Sequence, residues 1–303
     1  MAGFVVPDVL VLAGGGVVGE SWMTGVLAGI EDEAGADLRG VESFVGTSAG
    51  AIVATRLAAG KPLRRPPRGR AAAAAAAAEA EADGRAGLVR TAARWGWAAT
   101  SPLAPVATAL STPGGALVRS ALLARAPETG RTLARLHAEI EHSGARFDGR
   151  LRVCCVDKRS GRRVVFGAPG APRATVADAV TASCAIPWVF APVRIGDREY
   201  VDGGVWSVTN LDAAPARRET EVLCLDPTAS LRSPLRQAFR VAISVELQIL
   251  RRRGAHVRHV GPDAEAAEAM GTDFMAAGAS AAALAAGHRQ GRALACTPPD
   301  SGA

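Results

Sequence analysis

The chain has 303 residues, which is long enough for one large domain or two small ones with a substantial apolar core. Only 4% of the residues are aromatic, so the core must be built mainly from Ala, Val and Leu. The formal net charge of +6 favours anionic partners, but no nucleic-acid-binding motif is present, so we expect no nucleic-acid partner. The five cysteines lack paired or metal-ligand spacing, which indicates reduced thiols and no metal site.

The first sixty residues predict the start of a parallel sheet. An apolar run over residues 8–13 is typical of a buried strand, and it ends in a glycine loop, Gly14–Gly19, followed by a helix over 20–34. A second strand over 43–45 runs into Gly46–Gly50, and the helix after it ends near Gly60. This order indicates parallel strands joined by crossover helices.

The composition changes abruptly at Lys61, and we interpret residues 61–126 as an insertion. Its basic, proline-rich start predicts a solvated, extended linker, and the eight alanines from Ala71 predict a helix without a clear apolar stripe. We expect neither part to belong to the core. In residues 85–118, arginines and two tryptophans precede an uncharged stretch whose prolines argue against a membrane-spanning helix. Two interpretations stay open: a variable surface insertion, or a mobile lid making peripheral membrane contact.

The second half alternates between helices and strands without an internal repeat. No export signal is visible at the N-terminus, so we expect a cytoplasmic protein with peripheral membrane association at most. We treat residues 1–303 as one domain. The predicted elements are a helix over 128–142, strands over 150–156 and 162–166, a helix over 175–185, a hairpin over 192–201, a strand over 221–225, a helix over 234–252, a strand over 255–260 and two final helices.

Ser48 is the candidate nucleophile. It lies in Gly46-Thr47-Ser48-Ala49-Gly50, the Gly-x-Ser-x-Gly pattern of a strand-to-helix turn that exposes a serine. The flanking glycines, Gly46 and Gly50, avoid collisions of a Cβ with the neighbouring strand and helix. The helix N-terminus that follows favours a developing negative charge.

The glycine loop has two interpretations. Its spacing fits the dinucleotide-binding fingerprint, but the second strand then needs an acidic residue for the ribose, and this one ends in Gly46-Thr47-Ser48. One strand away from an activated serine, successive backbone amides also suit the oxyanion of a tetrahedral intermediate. We favour this second interpretation, with the amides of Gly14, Gly15 and Gly16 as the donors and Gly19 as part of the loop.

Two partners for Ser48 remain open from the residues alone. A triad in the order Ser48, Asp226, His259 (or His256) is typical of α/β-hydrolases, although the serine turn follows only the second strand here. The alternative base is Asp202, which ends a strand and is followed by Gly203 and Gly204 on a tight turn. Asp202 needs partial desolvation and a direct hydrogen bond to Ser48 to act as a base.

Taken together, the glycine loop, the serine turn and Asp202-Gly203-Gly204 resemble the patatin-like phospholipase family in content, order and spacing. The segment 182–187 and Tyr200–Val205 are similar to that family's approach to its aspartate. The resemblance implies a three-layer α/β/α sandwich with a mainly parallel central sheet. It also implies a serine acyl hydrolase acting on lipid or phospholipid esters through a Ser48–Asp202 dyad, without cofactor or metal.

One position departs from the family pattern. The family usually has Arg or Lys between the third and fourth glycines of the loop, where this sequence has Val18. A cation near the oxyanion or a lipid phosphate is therefore missing. The sequence accordingly allows a second function, a lipid-binding member of the fold with little catalysis.

Overall fold

The computed structural model describes residues 4–67, 115–126, 129–231 and 235–297. Its strands are β1 (Val9–Leu12), β2 (Ser43–Thr47), β3 (Leu151–Asp157), β4 (Arg163–Phe166), β5 (Val193–Ile195), β6 (Arg198–Asp202), β7 (Glu221–Leu225) and β8 (His256–Val260). Its α-helices are α1 (Gly16–Ala34), α2 (Ala49–Ala58), α3 (Gly115–Ala124), α4 (Ala134–His142), α5 (Val176–Ser183), α6 (Leu235–Arg252), α7 (Ala264–Met270) and α8 (Ser280–Cys296).

The described strands form one eight-stranded sheet in the order β5-β6-β3-β2-β1-β7-β8, with β4 paired to β3. The pairs among β3, β2, β1, β7 and β8 are parallel, whereas β4, β5 and β6 join in antiparallel pairs. The central strands β1 and β2 are buried along their whole length, which explains why neither contains a charged residue.

Alternate residues of each strand serve two cores. Leu10 and Leu12 face the larger core, where α1, α2, α5 and α8 pack, while Val9 and Val11 face a smaller core formed with α6 and residues 211–216. Side chains of successive strand residues point to opposite faces, so one strand supplies both layers. The predicted three-layer α/β/α sandwich with a mainly parallel sheet is confirmed.

Strands β2 and β6 lie end to end on the same side of β3. Val153 of β3 pairs with Gly46 and with Phe166, so β2 and β4 flank β3 on opposite sides. Two residues further along β3, Cys155 pairs with β4 and with Asp202. Strand β6 therefore lies on the same side of β3 as β2, just beyond the end of β2. The C-terminal ends of β2 and β6 therefore meet beside Cys154 and Cys155.

Helices α1 and α8 pack with their backbones in close contact. A Cβ added at Gly25 would overlap the carbonyl of Leu284, and one at Gly291 would overlap the carbonyl of Val26. The Trp22 indole, buried in the same interface, donates to Gln290 Oε1 at 2.9 Å. This interface fixes the start of α1, and with it the glycine loop, against the C-terminal part of the chain.

The structure corrects three sequence predictions. Helix α1 begins at Gly16 and not at residue 20, and α4 covers only 134–142 of the helix predicted over 128–142. The linker that begins at Lys61 is predicted to lie outside the core, but its Leu63 is buried in the larger core and its Arg65 forms an ion pair with Asp32.

The end of the predicted insertion also packs. Helix α3 buries Leu123 against Val156 and Val201. The alanine run and most of the predicted membrane-contacting segment 85–118 lie outside the described residues. Among the helices that are described, none combines the length and hydropathy needed to cross a membrane.

Candidate active site

Ser48 occupies a strained backbone conformation between β2 and α2. Its φ of 51° and ψ of −121° are rarely adopted by a residue with a side chain, and such a conformation costs on the order of 1–3 kcal/mol. The serine side chain makes no capping hydrogen bond to α2, although Ser48 is the N-cap residue. Its hydroxyl is therefore not used to stabilise the helix.

Neighbouring glycines make this turn possible. A Cβ at Gly50 would overlap the carbonyl of Leu12 in β1, and one at Gly46 would overlap the backbone of Ala51 in α2. A Cβ at Gly14 would lie 3.6 Å from the Cβ of Ser48, so the glycine loop runs directly past the serine. The serine turn and the glycine loop are thus packed against each other.

The backbone of Ser48 is held by a second serine. The Ser48 N–H donates to Ser183 Oγ at 2.9 Å, and the Ser183 hydroxyl donates to the Cys154 carbonyl at 2.7 Å. Ser183 is fully buried at the end of α5. It thereby links the strained turn to β3. Its hydroxyl oxygen is also the acceptor of the Ser48 backbone N–H.

Asp202 ends β6 next to Ser48. Its backbone N–H donates to the Ala185 carbonyl at 3.0 Å, and its Oδ1 accepts from the Gly204 N–H at 2.7 Å. The Ser48 side chain lies close enough to the same carboxyl group to lower its pKa. The structure therefore brings together the two residues that the sequence offered as nucleophile and base, 154 positions apart in the chain by their numbering.

Burial dominates the electrostatics of Asp202. Loss of solvent raises the pKa of Asp202 to about 6, against the smaller lowering effects of the Gly204 amide and the Ser48 side chain. Burial also raises the pKa values of the nearby Cys155 and Cys184 thiols, so both stay neutral near pH 7. A carboxylate with a pKa near 6 is a stronger proton acceptor than an exposed aspartate.

The glycine loop supplies free amides, but not all those expected. The Gly14 N–H donates to the Val208 carbonyl at 2.9 Å, so this amide is not free to bind an oxyanion. Among the described residues, the amides of Gly15 and Gly16 have no acceptor. The same holds for the Ala49 N–H at the start of α2, the position that completes the oxyanion site after a nucleophile of this type.

A comparison with protein families gives one match relevant to this geometry. The model of the patatin-like phospholipase family matches residues 10–215, more than half of the chain and the whole span from the glycine loop to Asp202. The chain belongs to the patatin-like phospholipase family. This is a family of lipid acyl hydrolases. The comparison with curated proteins gave no match.

The histidine triad that the sequence left open is not assembled in this patatin-like domain. His259 Nε2 lies 3.2 Å from Asp226 Oδ2, so these two residues do pair. However, His259 is in β8, and two strands separate it from β2, which places it about 14 Å from the strand that carries Ser48. His256 pairs with Glu221 and Glu219 at the other end of β8.

Val18, at the position where the patatin-like family usually has a cation, is fully buried in the larger core. Its N–H donates to the Phe274 carbonyl at 3.1 Å. The side chain thus belongs to the packing of α1 and offers nothing polar to an anion. Among the described residues, no group of three or more acidic, His or Cys side chains is arranged to hold a metal ion.

Sequence reasoning missed three groups around the serine turn, namely Ser183, the Ala49 amide and Asn210, whose side chain donates to Thr47 Oγ1. Ser183 stands in the segment that resembles the family, but no pattern assigned it a contact with Ser48. Asn210 adopts a left-handed conformation with φ of 48°, which Asn tolerates better than most residues. That preference is the only sequence signal for Asn210, and it does not reveal the partners of the side chain.

Proposed function

We propose that this protein is a serine acyl hydrolase that cleaves carboxylic esters of lipids or phospholipids through a Ser48–Asp202 dyad. The observation that carries the proposal is the meeting of β2 and β6 at their C-terminal ends, which places the strained Ser48 beside the buried Asp202 carboxyl group. Membership of the patatin-like phospholipase family supports the class of reaction and substrate.

In the proposed reaction, the Asp202 carboxylate takes the hydroxyl proton of Ser48 while Oγ attacks the ester carbonyl. The amides of Gly15, Gly16 and Ala49 are the candidate donors to the resulting oxyanion, since their protons have no acceptor in the described part of the chain. The alcohol leaves with the proton from Asp202. Water, deprotonated by the same carboxylate, then attacks the acyl-enzyme. The fatty acid is released as the bond to Ser48 Oγ breaks, and Asp202 returns its proton to Oγ.

The alternative is a lipid-binding member of the family with little catalysis, and the apolar, buried Val18 favours it. A fluorophosphonate probe separates the two functions because it reacts only with an activated serine. Labelling of the wild type that is lost in Ser48→Ala supports the hydrolase. A folded wild type that is not labelled supports the lipid-binding protein.

Turnover of p-nitrophenyl acyl esters and of phospholipid vesicles tests the dyad directly. We expect Ser48→Ala and Asp202→Asn each to lower kcat by at least about 1,000-fold, as for residues that act as a unit in acyl transfer. His259→Gln is the control, and its kcat should stay at the wild-type value. Full activity of either dyad variant would refute the mechanism.

A further inference from the structure

The side chain of Asn210 connects the two segments that carry the residues of the proposed dyad. Its Nδ2 donates to Thr47 Oγ1 at 3.1 Å, to the Ser207 carbonyl at 2.5 Å and to the Gly203 carbonyl at 3.3 Å. Thr47 immediately precedes Ser48, and Gly203 immediately follows Asp202. One buried amide group therefore contacts the residue next to the nucleophile and the residue next to the base.

The orientation of the Asn210 amide follows from its partners. Arg163 Nη1 lies 3.2 Å from Asn210 Oδ1, and a guanidinium can only donate, so the oxygen of the amide must face Arg163. The NH₂ group then faces the carbonyls of Gly203 and Ser207, which can only accept. Arg163 is itself held by Asp212, through Nη2 to Oδ2 at 2.8 Å.

The loop around Asn210 is anchored independently. The Asn210 N–H donates to Ser207 Oγ at 3.2 Å, and the buried Glu246 accepts from Thr209 Oγ1 at 2.6 Å and from the Leu211 N–H at 2.8 Å. Asn210 has no solvent exposure. Its side chain is thus presented to Thr47 and Gly203 from a fixed loop.

Asn210 connects two strands that both pair with β3. Strands β2 and β6 end next to each other along β3, and among the described pairs neither is the ladder partner of the other. We propose that Asn210 is a positioning residue that sets the spacing of Ser48 and Asp202 by tying Thr47 to Gly203. This inference rests on the proposed dyad, because it concerns the alignment of those two groups.

Two variants test the inference. Asn210→Gly allows the left-handed backbone conformation and lacks the side-chain amide. Thr47→Val removes one of the acceptors of that amide. We expect each to lower kcat, Asn210→Gly by on the order of 10- to 100-fold, with little change in KM, since misalignment of reacting groups acts on the chemical step. The double variant should lose less than the product of the single losses, because both changes break the same contact.

A second readout does not depend on turnover. Loosening the turn at Gly203 moves the Gly204 amide and the Ser48 side chain away from the Asp202 carboxyl group, and both of these groups lower its pKa. The pKa of Asp202, measured by ¹³C NMR titration of its carboxyl group, should therefore rise in Asn210→Gly. Among the described residues, the other ionisable groups facing Asp202 are the Cys155 and Cys184 thiols, which stay neutral over the titrated range.

Thr181→Val is the matched control, because it makes the same change of side chain as Thr47→Val and removes a buried hydroxyl that donates to the Ala177 carbonyl within α5, without touching Asn210 or its partners. It should leave both kcat and the pKa of Asp202 unchanged. Equal losses of kcat in Thr181→Val and Thr47→Val would overturn the inference, as would a folded Asn210→Gly with wild-type kcat and an unchanged pKa of Asp202.

Two further outcomes of these experiments also decide the inference. If Asn210→Gly does not fold, Thr47→Val decides, and an unchanged kcat in that variant overturns the inference. If the wild type shows no turnover that depends on Ser48, the proposed function fails, and the pKa of Asp202 alone decides on Asn210. A pKa that does not move then refutes the positioning role.

Discussion

At the scale of single residues, the site depends on unfavourable local states that the surroundings hold in place. Ser48 is kept at a positive φ, and Asp202 is kept out of solvent, with no cation among the described groups that shift its pKa. Both states cost free energy, and both suit a nucleophile and its base. The contacts that maintain them, from Ser183 and Gly204, are consequently as important to the site as the reacting groups.

The pKa of Asp202 predicts how activity depends on pH. A general base acts only when ionised, so kcat/KM should fall about tenfold per pH unit below pH 6, the range of the raised pKa. Initial rates between pH 4.5 and 8, with circular dichroism to verify folding, measure this limb. A histidine base would give a similar limb, so His259→Gln should be tested alongside and should show the same profile. A limb near pH 4 would contradict a buried base.

Ser183→Ala tests the support of the serine turn. The substitution removes the acceptor of the buried Ser48 N–H and the hydroxyl donor to the Cys154 carbonyl, which should cost about 1–3 kcal/mol of unfolding free energy and lower kcat. Urea unfolding and ester kinetics measure the two effects. Thr181→Val is the control on the same helix, since the Thr181 hydroxyl donates only to the Ala177 carbonyl. Ser183 is not required for the turn if kcat stays at the wild-type level.

At the scale of elements, the contact of α1 with α8 determines where the glycine loop lies. Gly25 and Gly29 of α1 face Gly287 and Gly291 of α8, and a Cβ at any of the four would overlap a backbone carbonyl of the other helix. Helix α8 lies outside the residues matched by the family, yet it supports the helix that begins at the loop. The second half of the chain thus stabilises the first motif.

Gly291→Ala should therefore destabilise the fold. The added methyl group forces α1 and α8 apart, and overpacking of this kind typically costs about 1–3 kcal/mol, with a lower melting temperature as the measurement. Gly40→Ala is the matched control, because nothing lies within 4 Å of its added Cβ. Equal melting temperatures for the two variants would show that the helices separate without cost.

At the scale of the whole molecule, the linker after α2 belongs partly to the fold. Leu63 is only 6% exposed, and Arg65 forms ion pairs with Glu31 and Asp32 at the end of α1. Deleting residues 61–67 should consequently lower the melting temperature by several degrees. Deleting residues 68–84, whose alanine-rich composition cannot build a core, should leave it unchanged. A stable protein without 61–67 would contradict the role of Leu63.

The sequence by itself determined the parallel start of the sheet, the glycine loop, the serine turn and the aspartate turn, because each depends on residues close together in the chain. Runs of apolar residues define buried strands, and glycines mark positions where a Cβ would collide. Strand β6 pairs antiparallel with β3 and ends next to the end of β2, which brings Asp202 to Ser48. No local sequence pattern predicts this pairing of distant strands.

The tertiary structure alone decided which partners surround the serine. It separated His259 from Ser48 by two strands, engaged the Gly14 amide with Val208, and placed Ser183 and Asn210 around the nucleophile. Each of these contacts joins segments that are far apart in the sequence and depends on strand register and side-chain direction. The identity of a serine or an asparagine does not specify its hydrogen-bond partners, and packing in three dimensions does.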